Sequence, residues 1–324
     1  MQTSTLAVRS HAGKHWRGVP ASSWAEKSIE EVAALLPAFS RHPFLGMTSD
    51  RRICSSNMDM IVREPLLEAE RPTAVGIVSK NYNLVQHSDV LLLAIEAMKT
   101  AKIDTNEVRC DLLLTEHGER MALALRFPDD MKYRFAISNN DQMALRLECF
   151  NSVDGSMRLT ALLGWLRFVC SNGLIVGAPL GRLRQQHTDA LNLKDLAKLL
   201  KVGLKRVVEE KKGYGIWLKA KVGIEALSPW VDRRLSKAWG IRTAARVYGI
   251  LTSGYDVVVK PFQTGTATHL DYERSTPVPG APQTVESVFD VAQTLSWVAA
   301  QHPDFDEQAL RIRQIPGLLR PLLN

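Results

Sequence analysis

The chain has 324 residues, 45% of them apolar and 23% charged, and a formal net charge of +7. These are ordinary globular proportions, and they exclude wholesale disorder, a collagen-like repeat and a disulfide-stapled miniprotein. No apolar run reaches the roughly 18 residues that a membrane helix needs.

Residues 1–23 read as a loose basic arm. Their sequence holds no apolar core and no small-residue cleavage site, so a secretory signal is not expected and a soluble, cytoplasmic protein is. Ser23 is placed to cap a helix from Trp24 to about Leu36, with Glu26 at capping-box spacing and Pro37 as the stop. Residues 53–63 suit an extended segment, and residues 73–80 (TAVGIVSK) are strand-like. Ser88 precedes an apolar helix over 89–101. Two strands, 109–116 and 120–127, flank a turn at His117-Gly118, and two more, 142–152 and 156–165, flank Asp154-Gly155. The segment 164–173 reads as a helix, with Asn172-Gly173 as its cap or bend.

From residue 192 the apolar period becomes helical. Leu196, Leu199, Leu200, Leu204, Val207 and Val208 are predicted to share one face, with lysines on the others. Further helices are expected near 216–226, 228–238 and 241–251, and a strand over 255–262. Residues 263–283, rich in Thr, Pro and Gly, read as a linker or long loop. Thr284 is placed to cap a helix over 285–302, and a short helix and tail follow over 303–324. The fold class is α+β: an antiparallel sheet built of hairpins, packed on helices, followed by a mostly helical basic region. The domain division is an arm and helix over 1–72, an α+β core over 73–190, a basic helical region over 191–262, the linker, and a tail over 284–324.

The charge is local. Residues 194–246 hold fourteen Lys or Arg against five acids, a net of +9, while the remainder carries −2. Such a stripe is the footprint of a polyanion partner. Binding to phosphates is expected at Arg158 and Arg167, near the second hairpin. Lys198, Lys201, Lys205, Arg206, Lys211, Lys212, Lys219 and Lys221 would extend the track. Trp217, Trp230 and Trp239 lie inside the stripe and Trp165 and Phe168 lie before it; each reads as core first and as a base-stacking platform second.

Enzyme signatures are sparse. No phosphate-cradling loop, no H-E-x-x-H and no C-x-x-C occurs, and Cys54, Cys110, Cys149 and Cys170 are scattered. No cofactor and no metal site is implied. Cys170 with His187 could form a thiol–imidazole pair, and Asp129 with Asp130, or Glu107 with Asp111, could supply a carboxylate pair; core packing and a solvated turn are the simpler readings.

Over about 73–200 the sequence resembles the phage- and plasmid-associated family called domain of unknown function 932. The likeness rests on Gly76, Tyr82, Val85 and Gln86, then on the turn Ser152, Asp154, Gly155 and Ser156. It continues with Arg167, Val169, Cys170, Asn172 and Leu174, and then His187 and Thr188. His87 stands where the family has Asn, and Gly173 where it has Thr. The resemblance implies a bacterial mobile element and brings no catalytic residues. The order of elements is also similar to the sheet-plus-helix core of RecT-like and Rad-type single-strand annealing proteins, which oligomerise and hold single strands without nucleotide hydrolysis; this is analogy at the level of fold. The leading expectation is therefore a nucleic-acid-binding protein, with single-stranded DNA favoured, acting as an annealing or recombination accessory factor and forming homo-oligomers. The alternatives are a factor that binds a host defence protein and a metal-dependent enzyme acting on nucleic acid.

Overall fold

A computed structural model describes residues 15–16, 19–65, 70–138, 141–167, 175–188, 195–278, 280–302 and 305–323. Strands β1 (His15–Trp16) and β2 (Val19–Lys27) come first. The helix expected to start at Trp24 starts later: Trp24 pairs with Leu112 as part of β2, and α1 is Ile29–Leu35. Its cap is Ser28, not Ser23. Ser28 Oγ accepts from Glu31 N, and the Glu31 carboxylate accepts from Ser28 N, so Ser28 and Glu31 make the capping box that the earlier serine was expected to supply.

β3 (Phe39–Met47), β4 (Arg52–Arg63) and β5 (Thr73–Ser79) form a three-stranded antiparallel sheet. Helix α2 (His87–Thr100) follows. Its cap is Gln86, with Asp89 returning a bond to the Gln86 amide, so the helix begins before Ser88. The expected hairpin is β6 (Arg109–Thr115) against β7 (Arg120–Arg126), with Arg109 opposite Arg126 and Gly118 at φ +72 in the turn.

β8 (Arg134–Ser138) and the first residues of β9 (Asp141–Ser152) pair with each other, while the rest of β9 pairs with β7. β10 (Leu159–Arg167) continues as strand through 164–167, where a helix was expected; residues 168–174 lie outside the described residues. Every residue of Leu159–Trp165 is buried, so the strand is covered on both faces, and a continuous apolar run of this kind cannot be separated from a buried helix by periodicity alone. β11 (Ile175–Gln185), not expected from the sequence, completes an eight-stranded sheet ordered β1-β2-β6-β7-β9-β10-β11, with β8 beside β9.

The remainder is mostly helical: α3 (Asp195–Lys219), α4 (Ile224–Trp230), a π-type turn over Val231–Leu235, α5 (Ser236–Trp239) and α6 (Ile241–Ser253). β12 (Tyr255–Val259) pairs with β13 (Tyr272–Pro277), which lies inside the stretch read as linker or loop. α7 (Val288–Ala300) is capped by Ser287 rather than Thr284, and α8 (Phe305–Leu319) follows.

By its contacts the chain divides into two compact units, each made of three segments. The first takes in residues up to Tyr133, then Leu145–Leu163 and Gly181–Lys205; the second takes in Arg134–Ala144, Gly164–Leu180 and Arg206 onward. In the first unit Val90 and Leu93 of α2 line an apolar pocket with Cys149, Leu159, Ala161, Leu183 and Leu196. In the second unit Tyr214 is the hub of an aromatic cluster, with ring centroids 5.3 Å from Trp217, 5.8 Å from Phe135, 6.3 Å from Phe289 and 6.4 Å from Trp165. Edge-on pairs of this kind contribute about 1 kcal/mol each beyond area burial. Burial raises the Tyr214 hydroxyl well above its usual range, so the hub stays neutral.

Candidate nucleic-acid interface

Helix α3 has a sharply divided surface. Leu196, Leu199, Leu200, Val207, Tyr214 and Trp217 are buried. At 3.6 residues per turn, Lys198, Lys201, Lys205, Lys212 and Lys219 project within an arc of about 60° on the opposite side. All five are exposed, and among the described residues none has an ion-pair partner. From the first to the last of them the helix runs for about 30 Å. Val208, expected on the apolar face, is 62% exposed, and Leu204 is half-buried. The buried line passes through Gly203 instead, because the apolar stripe follows positions 196, 199/200, 203, 207, 214 and 217.

The other expected contacts divide. Arg158 is exposed at the start of β10, and its neighbour Leu159 shares the apolar pocket with Leu196 of α3. The side chain of Arg167 lies outside the described residues. Arg206 pairs with Glu210 at 3.4 Å, one turn along, and burial raises the Glu210 carboxyl while Arg206 opposes that rise. The Lys211 ammonium lies 5.5 Å above the Trp165 ring, half-buried, as a cation–π contact inside the second unit. Lys221 is exposed, 3.9 Å from the Glu286 carboxylate. Of the expected contacts, the five lysines of the α3 arc and Arg158 are thus exposed and without an ion pair among the described residues.

The tryptophans are core. Trp165, Trp217, Trp230 and Trp239 are all buried. Trp230 Nε1 donates to Leu318 O at 2.9 Å and Trp239 Nε1 to Gln314 Oε1 at 2.7 Å, which fixes both rings against α8. Phe168 lies outside the described residues. Among the described aromatics Phe262 is the most exposed; the sequence reading places it at the end of a strand, and it follows β12 in a turn. The signal was the Pro261-Phe262 pair ahead of Thr264-Gly265, a turn composition rather than a strand end.

The motif residues of the first unit converge into a lock. Gly76 packs so closely on the Asp154 turn that a Cβ there would lie 2.7 Å from Asp154 Cα. Asp154 Oδ1 accepts from Ser156 N at 2.9 Å, Gly155 takes φ +78, and Asp154 Oδ2 pairs with Arg120 at 3.3 Å. Tyr82 donates to Ser152 O at 2.8 Å and stacks on the His187 ring at 5.0 Å. Gln86 both donates to and accepts from the Phe39 backbone. Fully buried, His87 donates from Nε2 to Gly118 O at 2.8 Å, and its Nδ1 accepts from Asn151. Burial pushes its pKa down to about 4, and burial also lowers that of His187, so both imidazoles are neutral. The group fastens β5, the Asp154 turn and the 187–188 segment together. Tyr82, Gln86, His87, Asn151 and Asp154 each bond backbone, which positions the chain around the turn.

Cys170 lies outside the described residues. Asp130 pairs with Lys132 at 3.2 Å in a surface turn, and Asp111 accepts from Glu26 N at 3.1 Å beside Arg126 and Arg146. Among the described residues no three His, Cys, Asp or Glu side chains gather as a metal-ligand set, and no helix is long and apolar enough to cross a membrane.

A family model described as Domain of unknown function (DUF932) matches residues 74–277. No curated protein and no solved structure matches the chain.

Proposed function

The chain belongs to the DUF932 family, and from that premise we propose that it binds single-stranded nucleic acid along the outer face of α3, as an annealing or recombination accessory protein of a bacterial mobile element. The observation that carries this reading is the arc of five exposed lysines, without ion-pair partners among the described residues, opposite the buried face of one continuous helix. Phosphates spaced along an extended strand fit a row of point charges of this length. A folded acidic protein would offer fewer charges over the same distance. The motif cluster is compatible with the reading, because most of its hydrogen bonds run to backbone and so serve to hold the chain in place. Arg158, exposed just ahead of β10, is a further cation that this reading takes as a phosphate contact.

Binding of this kind is electrostatic, tolerant of sequence and steeply salt-dependent. Fluorescence anisotropy with a labelled oligothymidylate over a salt series tests it. Five lysine–phosphate contacts give a slope of log affinity against log salt of about −3.5 for a single strand. Replacing Lys198, Lys201, Lys205, Lys212 and Lys219 by Gln should flatten the slope by about 3.5, leaving only what the remaining cations contribute. Absence of binding at low salt, or an unchanged slope in the five-fold variant, removes the reading.

A further inference from the structure

The second unit presents an aromatic ring in a manner that neither its own packing nor its backbone explains. Phe262 is 101% exposed and holds φ at +56. It follows Pro261 in the connection between β12 and β13, at a turn position that normally takes Gly or Asn. A bulky side chain in this backbone region is an outlier.

The loop that carries it is pinned. Gln263 Nε2 donates to Lys260 O at 3.0 Å and to Asp271 O at 2.9 Å, and Gln263 Oε1 accepts from Asp271 N at 2.7 Å. Further along, Thr268 donates through its amide and its hydroxyl to the Asp232 carboxylate, at 2.9 and 2.7 Å. Arg242 Nη2 donates to Lys260 O at 3.5 Å, which brings a guanidinium to the base of the turn. The ring is therefore held outward on a fixed frame.

The surroundings state the charge of the partner. Residues 232–246, which hold the loop through Asp232 and Arg242, carry five Lys or Arg and one acid. That acid, Asp232, is occupied by Thr268, and of the five cations Arg246 is held by Asp256. Arg233, Lys237 and Arg242 are exposed. A rigid exposed ring on a turn that carries the exposed Lys260 and meets the exposed Arg242 is the composition of a base-stacking platform, because every base offers a π face and every linkage a negative charge. A pocket in a protein partner would need the ring but not the cations.

We infer that Phe262 stacks on a base of bound single-stranded nucleic acid, with Arg242 and Lys260 beside the adjoining phosphates. This rests on the nucleic-acid reading of α3 and assigns a second, non-electrostatic contact to it. The test measures wild type, Phe262→Ala, Phe262→Leu and Phe262→Trp by anisotropy with labelled oligothymidylate at several salt concentrations. Loss of one stacked base weakens binding by roughly five- to 150-fold. Ala and Leu variants should show that loss at every salt with the slope unchanged, and Trp should restore affinity. Ultraviolet crosslinking to an oligothymidylate carrying 5-iododeoxyuridine should attach label to the peptide containing Phe262. The inference is overturned if wild type binds and the Ala variant binds equally well. It is also overturned if the Leu variant binds as tightly as wild type, which shows that an apolar side chain without a π face suffices, or if the crosslink maps elsewhere. A wild type that binds no oligothymidylate removes both readings, whereas an unaffected Ala variant removes this one alone.

Discussion

Replacing Gly76 with alanine adds one methyl group to a β-strand, a change that in open surroundings stabilises by reducing the freedom of the unfolded chain. Here the added carbon would meet Asp154 Cα at 2.7 Å and Asp154 Cβ at 3.0 Å. Backbone must move by the better part of an ångström, and the turn it belongs to has little room to retreat. Asp154 is tied to Ser156 and Arg120, Val153 N donates to Glu119 O at 2.9 Å, and Tyr82 holds Ser152 O. Overpacking against such a frame costs about 1–3 kcal/mol, and the upper half of that range is expected because the obstacle is main chain. The control is the same substitution where space is open. Gly213 and Gly215 lie inside α3 with nothing within 4 Å of a built Cβ, so alanine at each should stabilise by about 1 kcal/mol. Thermal unfolding followed by far-ultraviolet circular dichroism separates the cases, since 1 kcal/mol moves the midpoint by about 2–4 °C. A Gly76→Ala protein that melts at or above the wild-type temperature would refute the lock.

Other consequences are open to measurement. Tyr82→Phe keeps the stack on His187 and loses the hydroxyl bond to Ser152 O, at a cost of about 1 kcal/mol in urea unfolding. His87 titrates at the ordinary 6.5 when unfolded and near 4 when folded, so the unfolded chain binds the proton first. Stability from this group is complete above pH 6.5 and is lost as pH falls toward 4, by about 3 kcal/mol in all; a urea midpoint that stays flat across this window would show that the ring is not buried neutral. Phe262→Gly should raise stability by about 1 kcal/mol while weakening strand binding, since it relieves the positive φ and removes no packing. An unchanged midpoint would show that the turn carries no strain.

Local pattern located the elements whose residues alternate against one neighbour. The β6–β7 hairpin and the Asp154-Gly155 turn follow from period two and from turn chemistry. The α3 arc follows from period 3.6, with Val208 misplaced because a strict heptad-like reading does not fix where a helix rotates against its neighbour. The failures have other causes. Ser23 and Ser28 both suit a cap, and only the pairing of Trp24 with Leu112 on a distant strand decides between them. Residues 161–166 are apolar without alternation, so strand and buried helix look alike until the neighbouring strands are known. The tryptophans sit among lysines in sequence, yet helix rotation carries ring and charge to opposite sides. Phe262 is the converse case, since its exposure arises from a turn built by Gln263 and Asp271, which lie eight residues apart.

The three-segment construction of each unit bears on how the polypeptide reaches its native state. The first unit is not complete until Gly181–Lys205 has been made, and by then the segments Arg134–Ala144 and Gly164–Leu180 of the second have already been synthesised without Arg206 onward. During translation the early strands therefore wait with unpaired edges, and pairing across long stretches of chain is intrinsically slow. The ribosome-bound intermediate is expected to depend on chaperones, and limited proteolysis between the segments should release no fragment able to refold alone. Genetic dissection of this protein is then best done with point substitutions on the surface of α3 and at the Phe262 turn, since any truncation that ends between residues 134 and 205 removes part of both units.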